Sequence, residues 1–170
     1  MRYLLLSLFL LNTFLGTAFA AEEEMAVDGD TVAANPHLDV SQDMTALGQL
    51  SRDKGVPILL MFSTEDCRYC QQLETDVLGP MIRAGIDPKR VILRKVLMNE
   101  TDTLRDFSGH EQNAETFGIV RGVEVVPTLQ LVNAAGEELV PQIVGYQTPG
   151  LYDAYLEKAI QVSQSLLESR

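Results

Sequence analysis

Cysteine and histidine are scarce in this 170-residue chain, with two of each, and the 13 Lys and Arg are outnumbered by 24 Asp and Glu. A formal charge of −11 argues against nucleic acid and anionic lipid as partners, because both are bound through clustered cations. It favours solubility. A structural zinc site needs four ligands. Beyond Cys67 and Cys70 only His37 and His110 remain, in no zinc-finger spacing. Internal repeats and low-complexity tracts are absent. So is any uninterrupted apolar run of the ~20 residues that a membrane-spanning helix needs.

The apolar run that does exist lies at the N-terminus. "MRYLLLSLFLLNTFLGTAFA" has one positive charge at Arg2, an apolar stretch from Leu4 to Leu11, and a small-x-small ending at Ala18-Phe19-Ala20. Asn12 and Thr13 interrupt it. This is the layout of a secretory signal peptide, so residues 1–20 are expected to be removed and the protein exported to the periplasm. No cysteine follows the run to carry a lipid anchor. Without Arg2 the chain from residue 21 carries 12 basic residues against 24 acidic ones, a formal charge of −12. Export also places the two cysteines where disulfides persist. Residues 21–38, acidic and punctuated by Gly and Pro, read as a flexible leader. Residues 39–170 are the length of one domain able to bury a real core.

Hydrophobic periodicity gives the order of elements. Asp39–Gly55 carries Met44, Leu47 and Leu50 at helical spacing, with Gly55 as a stop. Val56–Thr64 ("VPILLMFST") is a continuous apolar run of strand length, suited to burial on both faces. After the cysteines, helical periodicity runs through Tyr69, Leu73 and Val77, with Pro80 ending or bending the helix. Arg90–Met98 is a second strand. "NETDTLRDFSGHEQ" reads as a short helix plus loop, and "NAETFGIV" as a short helix ending near Gly118. Val125–Asn133 is a strand, "AAGEE" a turn, and "LVPQIVGY" the returning strand of a hairpin. Thr148 caps a last helix with Pro149 in its first turn. Its stripe is Leu151/Tyr152, Tyr155/Leu156, Ala159/Ile160 and Leu166/Leu167. The fold class is α/β: one central mixed sheet flanked by helices, parallel at first and closed by an antiparallel hairpin.

All the sulfur chemistry sits in "FSTEDCRYCQQLE", where a strand feeds a Cys-x-x-Cys at a helix start. The first turn of a helix has unsatisfied N–H groups and a partial positive charge. A thiolate at Cys67 is stabilised there, below the ~8.5 of a free thiol. Cys70, one turn inside, waits protonated to resolve a mixed disulfide. Arg68 adds a positive charge beside Cys67. Glu65 and Asp66 oppose it, and Asp66 competes for the helix amides as a cap. Two other readings of the pair stay open at this point. A structural disulfide would close a tiny loop and remove little unfolded-state entropy. A copper-handling site would use both sulfurs and a histidine.

Three stretches, "ILLMFSTEDCRYC", "VVPTLQLVNAAGEELV" and "IVGYQTPGLYDAYL", resemble the thioredoxin superfamily over roughly residues 39–162. Within it they are similar to exported SoxW-type and related periplasmic thioredoxin-like proteins. The pairing of Cys-x-x-Cys with a distant Val-Pro-Thr is the specific part, and Gly145 and Leu156 fall at family positions. The resemblance implies a single thioredoxin-like domain and a thiol-disulfide oxidoreductase with Cys67 as nucleophile and Cys70 as resolving thiol. It implies a cis-proline at Pro127 facing the disulfide, with Val126 offering its backbone to an extended substrate. Arg68 and Tyr69, which replace the Gly-Pro of thioredoxins, are then the residues that tune the sulfur pKa values. Thioredoxins carry a buried Asp six residues before the first cysteine. Here that position is Met61, which leaves Glu65 or water as proton acceptor for Cys70.

The implied function is reduction of protein disulfides, with the Cys67–Cys70 disulfide as the redox group, no other cofactor and no metal. The partners implied are protein or small thiol/disulfide substrates and a membrane thiol-electron transporter, with the protein a monomer. Oxidase, isomerase and metal-handling functions are the alternatives. Isomerases of this compartment usually add a dimerisation domain, for which the leader is too short.

Overall fold

The structure, a computed structural model, describes residues 37–147 and 150–169. The expected signal peptide, the expected leader up to residue 36, and the expected helix cap at Thr148 with Pro149 lie outside the described residues.

Strand β1 (Ile58–Ser63) is buried along its whole length. Its side chains alternate between two cores, as the pleat requires. Leu59 and Met61 face one, while Ile58, Leu60 and Phe62 face the other. β1 pairs in parallel with β2 (Ile92–Leu97), Met61 opposite Lys95. On its other side it pairs antiparallel with β5 (Thr128–Val132), Phe62 opposite Thr128. β5 pairs antiparallel with β6 (Ile143–Val144), giving the strand order β2-β1-β5-β6. The expected mixed sheet, parallel then closed by a hairpin, is the one observed.

Helices cover both faces. On the first core lie α2 (Arg68–Leu73), a π turn (Glu74–Leu78), α3 (Gly79–Arg83) and α5 (Tyr152–Glu168). On the second lie α1 (Met44–Lys54) and α4 (Ala114–Val120), through Met44, Leu47, Ala114 and Phe117. α1 starts later than Asp39. Asp43 is its cap and accepts the Ala46 N–H at 3.0 Å, and Gly55 closes it at φ 66°. The residues before the cap pair instead with the β2 edge, Ser41 N–H to the Lys95 carbonyl and Lys95 N–H to that of Asp39. Leu38, assigned above to the leader, is buried in the first core.

Pro80 does not end the second helix: the backbone widens into the π turn just before it and continues as α3. Proline lacks an N–H and its ring crowds the carbonyl four residues back; a π turn is one way to accommodate that. Tyr69 does not join the buried stripe. Cys70, Leu73 and Val77 form it, and Tyr69 is 61% exposed. The polar stretch after β2 is not a helix but a hairpin, β3 (Thr103–Arg105) with β4 (Glu111–Asn113). Asp106 makes the turn, accepting the backbone N–H groups of Ser108 and His110, and Gly109 takes φ 89°. Buried Leu104 pins the first strand. In α5 the cap position belongs to Leu151, with no side-chain cap bond. The stripe is narrower than expected: Tyr152, Leu156, Ile160 and Ser163 are buried, while Leu151, Tyr155 and Leu166 are exposed.

The β5–β6 turn needs a glycine. Gly136 sits at φ 82°, and a Cβ there would overlap the ring of Phe107. Arg121 lies over the rings of Phe107 and Phe117 at 5.7 and 5.4 Å and donates to the Gly136 carbonyl at 3.0 Å. Gly136→Ala therefore strains the backbone and displaces this stack. Left-handed backbone and overpacking together are expected to cost about 2–3 kcal/mol, read as a lower urea midpoint at unchanged slope. An unchanged midpoint would mean the turn rearranges freely.

Candidate active site

The C-terminal end of β1 delivers the cysteines. Cys67 is the cap residue of α2 and Cys70 is one turn in. The two sulfurs are joined in a disulfide, with the Cα atoms 5.2 Å apart. Cys70 is 1% exposed, and Cys67 is partly buried against the first core. The Cys70 N–H donates to Cys67 Sγ at 3.1 Å. Cys67, not Asp66, thus takes the cap role, and Asp66 stands exposed. A sulfur at a cap accepts one of the orphan amides of the first turn, and the same bond favours a thiolate there once the disulfide opens.

Because β5 runs antiparallel to β1, its first residues return to the same end of the sheet. Val126 and Pro127 lie there, with the Val126–Pro127 peptide cis, as is Asp87–Pro88 elsewhere. The Gly145 N–H donates to the Pro127 carbonyl at 2.7 Å, which ties the segment after β6 to this loop. Together these segments and α2 line a groove of about 650 Å³ formed by Tyr69, Gln72, Val126, Pro127, Tyr146 and Gln147 among others. Among the described residues no charged side chain lines it. Tyr146 is held by its hydroxyl, which donates to Asp76 at 3.0 Å, and by an edge contact with Tyr152 at 5.1 Å. Burial pushes the Tyr146 hydroxyl pKa up, and Asp76 adds to this. It therefore stays protonated as a donor. Arg68 is exposed beside the pair.

Sequence reasoning missed a second feature. Glu74, one turn beyond Cys70, is 7% exposed and is the only buried carboxylate among the described residues. Lys95 Nζ donates to its Oε1 at 2.7 Å, and the Leu38 N–H to its Oε2 at 3.4 Å. Its spacing from Cys70 within the stripe Cys70–Leu73–Val77 is the signal that was available. A cavity of about 500 Å³ opens beside it, bordered by Ser63, Thr64, Glu65 and Gln71. Met61 is fully buried in the same core as Cys70.

Of the metal candidates, His37 and His110 are exposed, each 3.9 Å from a carboxylate, Glu74 and Asp106 respectively. Among the described residues no group of three or more His, Cys, Asp or Glu is placed to hold a metal ion, and no helix is long and apolar enough to cross a membrane.

A family model described as a thioredoxin-like domain matches residues 49–160, well over half of the chain. No curated protein matches. Among solved structures, the chain is similar to a DsbH oxidoreductase at 17% identity and TM-score 0.53, over 85% of this chain and 94% of that one. Thioredoxin F from spinach chloroplast matches at 22% identity and TM-score 0.49, over 76% and 95%. A mutant thioredoxin from Halobacterium salinarum matches at 24% identity and TM-score 0.46, over 73% and 91%. At such identities the DsbH likeness speaks for the fold.

Proposed function

The chain belongs to the thioredoxin-like family of thiol-disulfide oxidoreductases, and from that premise we propose that it is an exported reductase of protein disulfides that works through Cys67 and Cys70. The observation that carries this reading is the Cys67 sulfur at the helix cap, partly exposed and bonded by the Cys70 amide, with its partner sulfur buried behind it. In the reduced protein the Cys67 thiolate attacks one sulfur of a substrate disulfide, and the first substrate thiolate leaves. Cys70 gives up its proton and attacks Cys67 Sγ. The Cys67–Cys70 bond forms and the second substrate thiolate leaves, so two electrons pass from the pair to the substrate.

The groove beside the pair supports an extended peptide as substrate. Val126 and Pro127 offer main-chain pairing with little side-chain readout, and uncharged walls suit an apolar or aromatic neighbour of the substrate cysteine. Arg68 and Tyr69, exposed between the cysteines, are the tuning residues in this reading. The N-terminal sequence supports export to the periplasm, and a membrane thiol-electron transporter would then return the electrons. The SoxW-type likeness of the motifs favours the reducing direction. Arg68 favours a second reading, an oxidase, because a cation beside the thiolate stabilises the reduced form.

Reduction of insulin by dithiothreitol, followed by turbidity with and without the protein, tests the activity. Substoichiometric protein is expected to shorten the onset severalfold. An onset set by dithiothreitol alone would overturn the reading.

A further inference from the structure

We propose that the Glu74 carboxylate, held in place by Lys95, accepts the Cys70 proton when Cys70 resolves the mixed disulfide; this rests on the reading of the pair given above. The position that supplies a buried acid in thioredoxins is occupied by Met61, which has no proton to exchange. In the sheet Met61 lies directly opposite Lys95, and Lys95 is 17% exposed at its side chain. The ammonium at the end of that side chain meets Glu74, which comes in from the helix. An acid is therefore present in the buried layer behind the cysteines, carried by the helix and not by the strand.

Several observations single out Glu74. It is the only buried carboxylate among the described residues. It follows Cys70 by one helical turn, and residues so spaced have Cβ atoms about 5–6 Å apart on one face. Its own N–H donates to the Cys70 carbonyl, so the two residues move as one unit. Lys95 and the Leu38 amide occupy one oxygen each, which fixes the carboxylate without using all its lone pairs. The cavity bordered by Ser63, Thr64, Glu65 and Gln71 gives the proton an exit to solvent. Glu65 and Asp66, the carboxylates just before Cys67, are both exposed.

The step balances. The Cys70 S–H bond breaks and its proton goes to Glu74. The Cys70 electron pair forms the bond to Cys67 Sγ while the Cys67–substrate S–S bond breaks. The leaving substrate thiolate carries that electron pair away, and Glu74 releases its proton through the cavity. A purely structural role is the competing account, since the Glu74–Lys95 pair also fastens the helix to β2 and to Leu38.

An aromatic disulfide that releases a coloured thiolate at each step separates the two events. Mixed with the reduced protein in stopped flow, it gives a first release on Cys67 attack and a second on Cys70 resolution. In Glu74→Gln the first release is expected to stay within about twofold. The second should slow by about tenfold or more at pH 7, the low end or below of what a positioned base supplies. The difference should close above about pH 9, where a free thiol ionises unaided. Glu74→Asp should recover part of the rate. The other titratable groups facing the carboxylate are Lys95, His37 and Glu65, and His37→Ala and Glu65→Gln should leave the second release in place. A second release equal to the parent's, or one slowed by the same factor at every pH with Asp no better than Gln, overturns the proposal. No first release from the parent protein would instead overturn the oxidoreductase reading. Should Glu74→Gln misfold because Lys95 is left buried and unpaired, the double variant with Lys95→Gln removes both charges and must show the same pH-dependent loss.

Discussion

Cys67→Ser is expected to bring insulin reduction down to the rate of dithiothreitol alone. A serine hydroxyl keeps the cap, since it too accepts the Cys70 amide, so the fold should survive. It cannot form the S–S bond on which the cycle depends. Cys70→Ser should behave differently. Its Cys67 still attacks, but nothing resolves the adduct, and a mixed disulfide should accumulate and be visible as an added mass on the intact protein. The asymmetry follows from burial, because Cys70 is 1% exposed whereas Cys67 is partly open. If Cys70→Ser were the variant that failed to form adducts and Cys67→Ser the one that trapped them, the two roles would be reversed.

Phe62→Ala is expected to lower stability by about 3–5 kcal/mol, the usual range for removing a large buried ring. Phe62 is fully buried in the last turn of pleat before the cysteine loop. It pairs with Val96 and Thr128 on either side, and its ring lies 6.1 Å from that of Phe117. Domains of this size hold about 5–15 kcal/mol in total, so the loss should be plain in a urea titration as a large fall in midpoint at unchanged slope. A change under about 1 kcal/mol would mean that this face of β1 is not packed as described.

The architecture was legible where one physical rule dominated. The continuous apolar run Val56–Thr64 suits a strand covered on both faces, and β1 (Ile58–Ser63) lies within it, buried along its length. Cys-x-x-Cys after that run fixed the place of the sulfurs. The β3–β4 hairpin was not legible, because only Leu104 marks it as buried and its turn depends on one Asp106 side chain gathering two backbone amides. Tyr69 was misplaced by counting in steps of four. The helix buries Cys70, Leu73 and Val77, and a residue one position before that stripe points outward. The same habit widened the stripe of α5. Glu74 was hidden for a different reason: a charged residue in an apolar stripe reads as an interruption, and only the facing Lys95, contributed by β2, makes its burial intelligible.

The central claim is that Cys67–Cys70 is a working redox couple and not a fixed crosslink. Its equilibrium against graded glutathione and dithiothreitol buffers, scored by alkylation of the freed thiols, tests that directly. The account predicts a reversible two-electron transition between about −270 and −120 mV, nearer the first value for a reductase and the second for an oxidase. A pair that stays oxidised down to potentials below about −300 mV, as structural disulfides do, would contradict it.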